Sequence, residues 1–159
     1  MKKKQSEVIG LNGVFNALTQ MKTPFGILIA HNSRKLKSIV KKYDEEKELI
    51  QDKFLKKDDE GNFLGVLKKD ADGNEKRVEK PTLFSDIECT DRKAFEKAIK
   101  DLDSKEIEVS DLRSIDCAKK IYWSKRDKEV TIREWMDSEL APIFILSLDE
   151  FGLLKNHLE

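Results

Sequence analysis

Cysteine is nearly missing from this sequence: Cys89 and Cys117 are the only two, and they stand outside any CxxC spacing. Such a pair makes neither a disulfide framework nor a zinc site, so free thiols in a reducing compartment are expected. Histidine is as scarce. His31 and His157 lie far apart, and no local signature supports a Ser-His-Asp or Cys-His arrangement. No apolar run approaches the ~20 residues of a membrane span. Met1-Lys2-Lys3-Lys4 leads into polar Gln5 and Ser6 rather than into the apolar region of a signal peptide. The expectation is a soluble protein inside the cell, or inside a particle assembled there. Glycine-rich phosphate loops, HExxH and GxSxG are also absent. No catalytic residue, cofactor site or metal site is nominated.

Net charge is absent too, with 31 Lys and Arg against 31 Asp and Glu. A nucleic-acid binder usually carries a basic excess. The distribution is uneven, however. Residues 1–55 hold 11 basic against 6 acidic side chains, and residues 81–159 hold 13 against 18. The two ends can therefore attract each other, within one chain or between chains.

Apolar residues make up 38% of the chain and charged residues 39%, so the core must be lean and much of the chain amphipathic helix. Val8, Leu11, Phe15 and Leu18 recur at helical spacing, with Val14 and Met21 beside them. Thr23-Pro24 then reads as a helix start, Thr as N-cap and Pro in the first turn. Nothing breaks the next thirty or so residues. Ile29, Leu36, Val40, Tyr43, Ile50 and Phe54 keep a seven-residue beat. A helix of that length spans about 45 Å. Its seam packs either within an intramolecular hairpin or against a second copy. His31, near the start of this helix, is expected as a satisfied core histidine.

The stretch Lys56 to Glu75 repeats itself: Lys56-Lys57-Asp58-Asp59-Glu60-Gly61-Asn62 returns as Lys68-Lys69-Asp70-Ala71-Asp72-Gly73-Asn74. An EF-hand loop aligned on Gly73 would place Asp70, Asp72 and Glu79 at ligand positions. It would also place Lys68 where the first carboxylate must stand and Glu75 at an apolar position. Alignment on Gly61 is worse. Two copies are too few for a repeat architecture. Gly and Asn tolerate positive φ and Asp caps its own turn. The reading is two tight turns flanking a short apolar strand, Phe63 to Leu67, with Lys76 to Pro81 as a third arm anchored by Val78.

Farther on, Thr90 is expected to cap a helix striped by Ala94, Phe95, Ala98, Ile99 and Leu102. Ile107 and Val109 alternate with Glu106 and Glu108 in a half-buried strand. Ile121 to Trp123 and Val130 to Ile132 read as a strand pair. Trp135, Met136 and Leu140 continue as helix until Pro142, and Ser147-Leu148-Asp149-Glu150 reads as a capping box opening a last helix. Tyr122 and Trp123, with Lys119, Lys120, Lys125 and Arg126 around them, could stack on a nucleic-acid base, although such a cluster is more often a strand with one buried face.

The run Asn32-Ser33-Arg34-Lys35-Leu36, Ile39-Val40, Tyr43-Asp44-Glu45-Glu46, Leu49 and Lys57-Asp58-Asp59-Glu60-Gly61-Asn62 resembles a group of small bacteriophage and prophage proteins of uncharacterised function. In these, a helical hairpin carries an Asn, a Leu and a Tyr on its second helix and ends in a KDExGN-like turn. A helix like Ala94-Phe95-Glu96-Lys97 and an acidic strand like Glu106-Ile107-Glu108-Val109 follow. The likeness covers roughly residues 25–114. This chain departs from the pattern in a longer stretch between Gly61 and Thr90 and in a longer end. The resemblance implies a phage-encoded accessory protein, placed in the host bacterial cytoplasm or in the assembled virion, and brings no catalytic residues.

The expected fold is α+β, mainly α. An N-terminal antiparallel helical hairpin (1–55) is followed by a turn-rich β-hairpin or flap (56–89). A C-terminal part of helices and short strands (90–159) packs on the hairpin, all within one domain. The expected function is non-enzymatic protein–protein contact, as a virion component or assembly factor. Its seam would be Leu36, Val40, Tyr43, Ile50 and Phe54, and its partner another protein or a second copy. The alternative is nucleic-acid binding by a basic face of Arg34, Lys35, Lys37, Lys41 and Lys42. No cofactor, metal or membrane enters either reading.

Overall fold

The structure, a computed structural model, describes residues 1–156; His157 lies outside them. The order of elements is β1 (Lys2–Lys4), α1 (Gln5–Thr19), α2 (Gly26–Phe54), β2 (Leu67–Lys69), β3 (Glu75–Arg77), α3 (Arg92–Ser104), β4 (Glu106–Glu108), β5 (Ile115–Asp116), β6 (Lys120–Trp123), β7 (Lys128–Thr131), α4 (Ile132–Glu139), α5 (Pro142–Glu150) and β8 (Leu154–Lys155). Helix dominates, and the strands form two-stranded ribbons: β1–β4, β2–β3 and β6–β7 antiparallel, β5–β8 parallel. The fold is α+β, mainly α. No described helix is long and apolar enough to cross a membrane.

The chain divides into two compact units. One comprises Met1–Lys41 with the chain from Glu106 onward; the other is Lys42–Lys105. These bounds differ from the expected divisions at 55/56 and 89/90. The reason lies in pairing. β4 aligns Glu106, Ile107 and Glu108 with Lys4, Lys3 and Lys2 of β1, which ties the chain after α3 to the unit of α1. The opposed charges suit an exposed ribbon. Lys2–Lys4 as a strand was not apparent from sequence, because a run of like charge gives no periodicity.

In the first unit the expected stripe of α1 is inward: Val8, Leu11, Val14, Phe15 and Leu18 are buried, and Ile29, Leu36, Met136 and Leu148 share their core. In the second unit Leu55, Ile87 and Phe95 form a smaller core ringed by Ile50, Phe54, Phe63, Phe84 and Ile99. Phe95 takes edge-on contacts from Phe54 (6.2 Å between centroids) and Phe84 (5.2 Å).

The repeated sequence of the second unit folds as repeated geometry. Asp58 Oδ1 accepts from the amides of Glu60 and Asn62 at 2.9 and 3.0 Å. Asp70 Oδ1 accepts from those of Asp72 and Asn74 at 3.0 and 2.9 Å. Gly61 and Gly73 take φ of +84° and +80°, where a side chain would strain the backbone. The apolar segment between the turns is less regular than expected. Phe63 and Gly65 make single bridges to Lys57 and Ile87, and regular pairing starts only at Leu67. Gly65 explains part of this: a Cβ there would stand 2.0 Å from Val78 O, so the two backbones touch.

Several helix boundaries shift from their expected places. Thr23 does not cap α2. Its Oγ1 is buried without a partner, and Phe25 O instead accepts from Ile29 N at 3.1 Å. Asp91, not Thr90, caps α3, accepting from Ala94 N; Thr90 turns back to Phe54 O at the end of α2. The helical run does break at Pro142, α4 ending at Glu139, but the proline itself opens α5, so that Ser147 to Glu150 form its last turn rather than its start. Proline's missing N–H is harmless in a first turn. Ile132 is helical, because Thr131 and Glu134 form a capping box that ends β7 there.

Candidate interaction surface

The start of α2 borders a cavity of about 620 Å³ in the first unit. Phe25 anchors this end of the helix, 6% exposed and edge-on to Trp135 at 5.8 Å. The next residues, Gly26, Ile27 and Leu28, line the cavity. Phe25 is the acceptor of the first helical bond, so their amides have no acceptor within the helix. Ile27 is 83% exposed, an extreme value for so large an apolar side chain.

The opposite wall comes from Arg113 to Asp116, Lys119 and Ile132. A buried polar residue holds it in place. Asn32 is 0% exposed. Its Oδ1 accepts from Arg113 N at 2.7 Å and its Nδ2 donates to Arg113 O at 2.9 Å. One carboxamide therefore satisfies both backbone groups of the residue that carries the guanidinium. Asp116, the one acid of the lining, is already committed. Its Oδ1 accepts from Asn156 Nδ2 (2.9 Å) and from Ala118 N (3.1 Å). These bonds, with Lys119 and Lys155 nearby, hold its carboxyl below the usual carboxylate range. Arg113 and Lys119 make no ion pair among the described residues. The cavity thus combines apolar walls with two cations against a single acid.

The seam and the basic face singled out from sequence lie elsewhere, whereas Lys119 of the Tyr122–Trp123 cluster lines this cavity. Leu36 is fully buried and Val40 packs on the first core. Tyr43, Ile50 and Phe54 belong to the second unit. Ile50 and Phe54 pack on its core, and Tyr43 donates its hydroxyl to Asp103 Oδ1 at 2.8 Å. Burial, then that hydrogen bond, push the Tyr43 pKa up to about 12. The seam is thus divided between two interiors. Of the basic face, Arg34, Lys35, Lys37, Lys41 and Lys42 are all exposed. Lys35 faces Asp111 at 3.7 Å, and Arg34 Nε donates to Ala30 O at 3.3 Å.

His31 is half-buried at the surface, not in the core, with Nε2 3.1 Å from Asp111 O. Trp123 is 7% exposed, and the Arg126 guanidinium covers its ring at 4.5 Å, so its face is not open to a base. Tyr122 is exposed and bonded to Asp127. Lys120 faces Glu129 and Lys125 faces Glu139. Cys117 is buried, and burial pushes its thiol pKa up, away from thiolate chemistry. Among the described residues no group of three or more His, Cys, Asp or Glu gathers for a metal ion.

Sequence reasoning missed this cavity. Two signals were present: Ile27 is apolar but off the seven-residue beat, and Asn32 stands at helical spacing from apolar Leu28, Ile29 and Leu36. Comparison with protein-family models, with curated proteins and with solved structures found no match.

Proposed function

We propose that this chain is a non-enzymatic accessory protein that works by protein–protein contact, and that the cavity at the start of α2 is its docking surface. The carrying observation is the pairing of an 83% exposed Ile27 with two cations that have no ion-pair partner beside one apolar cavity. The occupant that fits is a segment of another protein bearing a carboxylate next to a bulky aliphatic side chain. The apolar group would cover Ile27 and Leu28. The carboxylate would meet Arg113, Lys119 and the free amides at the helix start, where the dipole also favours an anion. The resemblance carried by Asn32, Leu36, Tyr43 and Lys57 to Asn62 supports a phage or prophage origin. A virion component or an assembly factor, in the host cytoplasm or the particle, is the corresponding setting.

Fluorescence anisotropy with two labelled peptides tests the reading, one alternating leucine with aspartate and the other leucine with lysine. The aspartate peptide should bind and the lysine peptide should not. Arg113→Glu with Lys119→Glu, and separately Ile27→Ser, should each weaken binding about tenfold or more. Equal binding of both peptides, or full binding by these variants, overturns the proposal. Light scattering at low and high salt completes the test: a stable dimer that Ile27→Ser dissociates would make a second copy the occupant and exclude a foreign segment.

A further inference from the structure

A second concavity of the first unit has a different chemistry. About 280 Å³ in volume, it is lined by Asn12 and Asn16 of α1 and by Ser33, Arg34, Lys37 and Val40 of α2. Asn12 and Asn16 are one helical turn apart, as are Ser33 and Lys37, so two walls face the groove. Every polar group of the lining can donate a hydrogen bond, and no carboxylate is among them. The carboxamides of Asn12 and Asn16 and the ammonium of Lys37 have no partner among the described residues. The Arg34 Nε bond to Ala30 O, at 3.3 Å, orients the guanidinium and leaves its two terminal nitrogens for a ligand.

We infer that this groove is a binding site for a phosphate group. A carboxylate presents two oxygens in one plane and would leave donors on one wall unmet. A phosphate presents several acceptor oxygens in three dimensions, and Arg can meet two at once while Asn and Ser meet others. Two positive charges with no acid in the lining favour an anion of that charge density. Arg34, Lys37 and Lys41 also recur along one stripe of α2, at three- and four-residue steps. A phosphodiester strand laid along α2 would pass each of them, so the source committed to is the backbone of a nucleic acid. A free phosphate monoester is the other source of the same chemistry. This surface shares no lining residue with the cavity at the start of α2, so either site can fail without the other.

Two titrations of the full chain test it. Inorganic phosphate is followed by ¹H–¹⁵N correlation spectra, reading the side-chain amides of Asn12 and Asn16. A labelled twenty-residue oligothymidylate is followed by anisotropy at 50 and 200 mM salt. The expected result is that phosphate moves both side-chain amides, and that oligonucleotide affinity falls with salt. It should fall about tenfold or more in Arg34→Glu with Lys37→Glu, and less in Asn12→Ala with Asn16→Ala. All four side chains face solvent or groove, and a thermal melt confirms that the variants fold. If phosphate moves those amides but the oligonucleotide binds wild type and charge-reversed chain alike, the site takes phosphate monoesters and not a strand. If phosphate leaves both amides in place, there is no phosphate site; if Lys42→Glu lowers oligonucleotide affinity as much as Arg34→Glu with Lys37→Glu does, the strand is not held by the groove and the nucleic-acid source is overturned.

Discussion

The carboxamide of Asn32 bonds both the N–H and the C=O of Arg113, at 2.7 and 2.9 Å, across eighty-one residues of sequence. It is the closest thing in the first unit to a staple, and it sets where one wall of the cavity stands. Replacing it with Leu keeps the volume but orphans two backbone groups. Asn32→Leu should therefore cost roughly 2–4 kcal/mol. In urea unfolding the midpoint should fall with the slope unchanged. A loss below about 1 kcal/mol would mean that water replaces the carboxamide at little cost.

Gly65 and Gly61 separate close approach from backbone conformation. A Cβ at position 65 would stand 2.0 Å from Val78 O, whereas one at position 61 meets nothing within 4 Å but requires φ of +84°. Gly65→Ala must push two backbones apart and should destabilise the second unit by about 2–3 kcal/mol. Gly61→Ala should cost only about 1–2 kcal/mol, the left-handed penalty. Hydrogen exchange of the Val78 amide, which donates to Val66 O at 3.0 Å, should accelerate in the first variant far more than in the second.

The twin turns predict twin losses. Asp58 and Asp70 each accept two backbone amides on one oxygen. Asp58→Ala and Asp70→Ala should each cost about 1 kcal/mol, and the corresponding Asn variants, which keep an acceptor oxygen, should cost less. Thermal melts of the four variants decide this. A loss confined to one turn would show that the two copies do not serve stability alike.

Tyr43 gives the second unit a pH signature. Its pKa is raised from 10.0 to about 12, so the folded chain holds that proton more tightly than the unfolded chain does. The associated stability is fully present below pH 10 and is lost as pH rises towards 12. Tyr122 is the only other tyrosine. In a Tyr122→Phe background, absorbance of the phenolate should therefore rise at about pH 12 rather than 10. In the same background Tyr43→Phe should remove the alkaline loss of stability and cost about 1 kcal/mol at neutral pH.

Helices α1, α2 and α3 were legible in the sequence because their apolar residues repeat at helical spacing and burial enforces the period, whereas α5 begins at Pro142, five residues before the expected capping box. Leu11, Phe15, Leu36 and Phe95 all face inward where their spacing puts them. The twin turns were legible because Asp and Gly act within a few residues. The ribbons β1–β4 and β5–β8 were not: pairing of Lys3 with Ile107, or of Ile115 with Leu154, leaves no local trace. Thr23 illustrates the limit of capping rules, since tertiary packing buried its hydroxyl and moved the helix start to Gly26. The candidate cavity was hidden for the same reason as the ribbons. Ile27, Arg113 and Lys119 meet only after Asn32 and the β5–β8 pair have brought residues 113–119 to the start of α2.

Because β1 pairs with β4 across more than a hundred residues, birth order on the ribosome is not the order of closure. At roughly 5–20 residues per second, Lys2–Lys4 must wait about 5–20 seconds for residues 106–108 to be made. The stretch Lys42–Lys105, with its own small core, is complete before that partner strand exists. A nascent chain stalled with Lys105 just outside the ribosome should therefore already protect Phe95 and Ile87, while the first three lysines are still open to a protease.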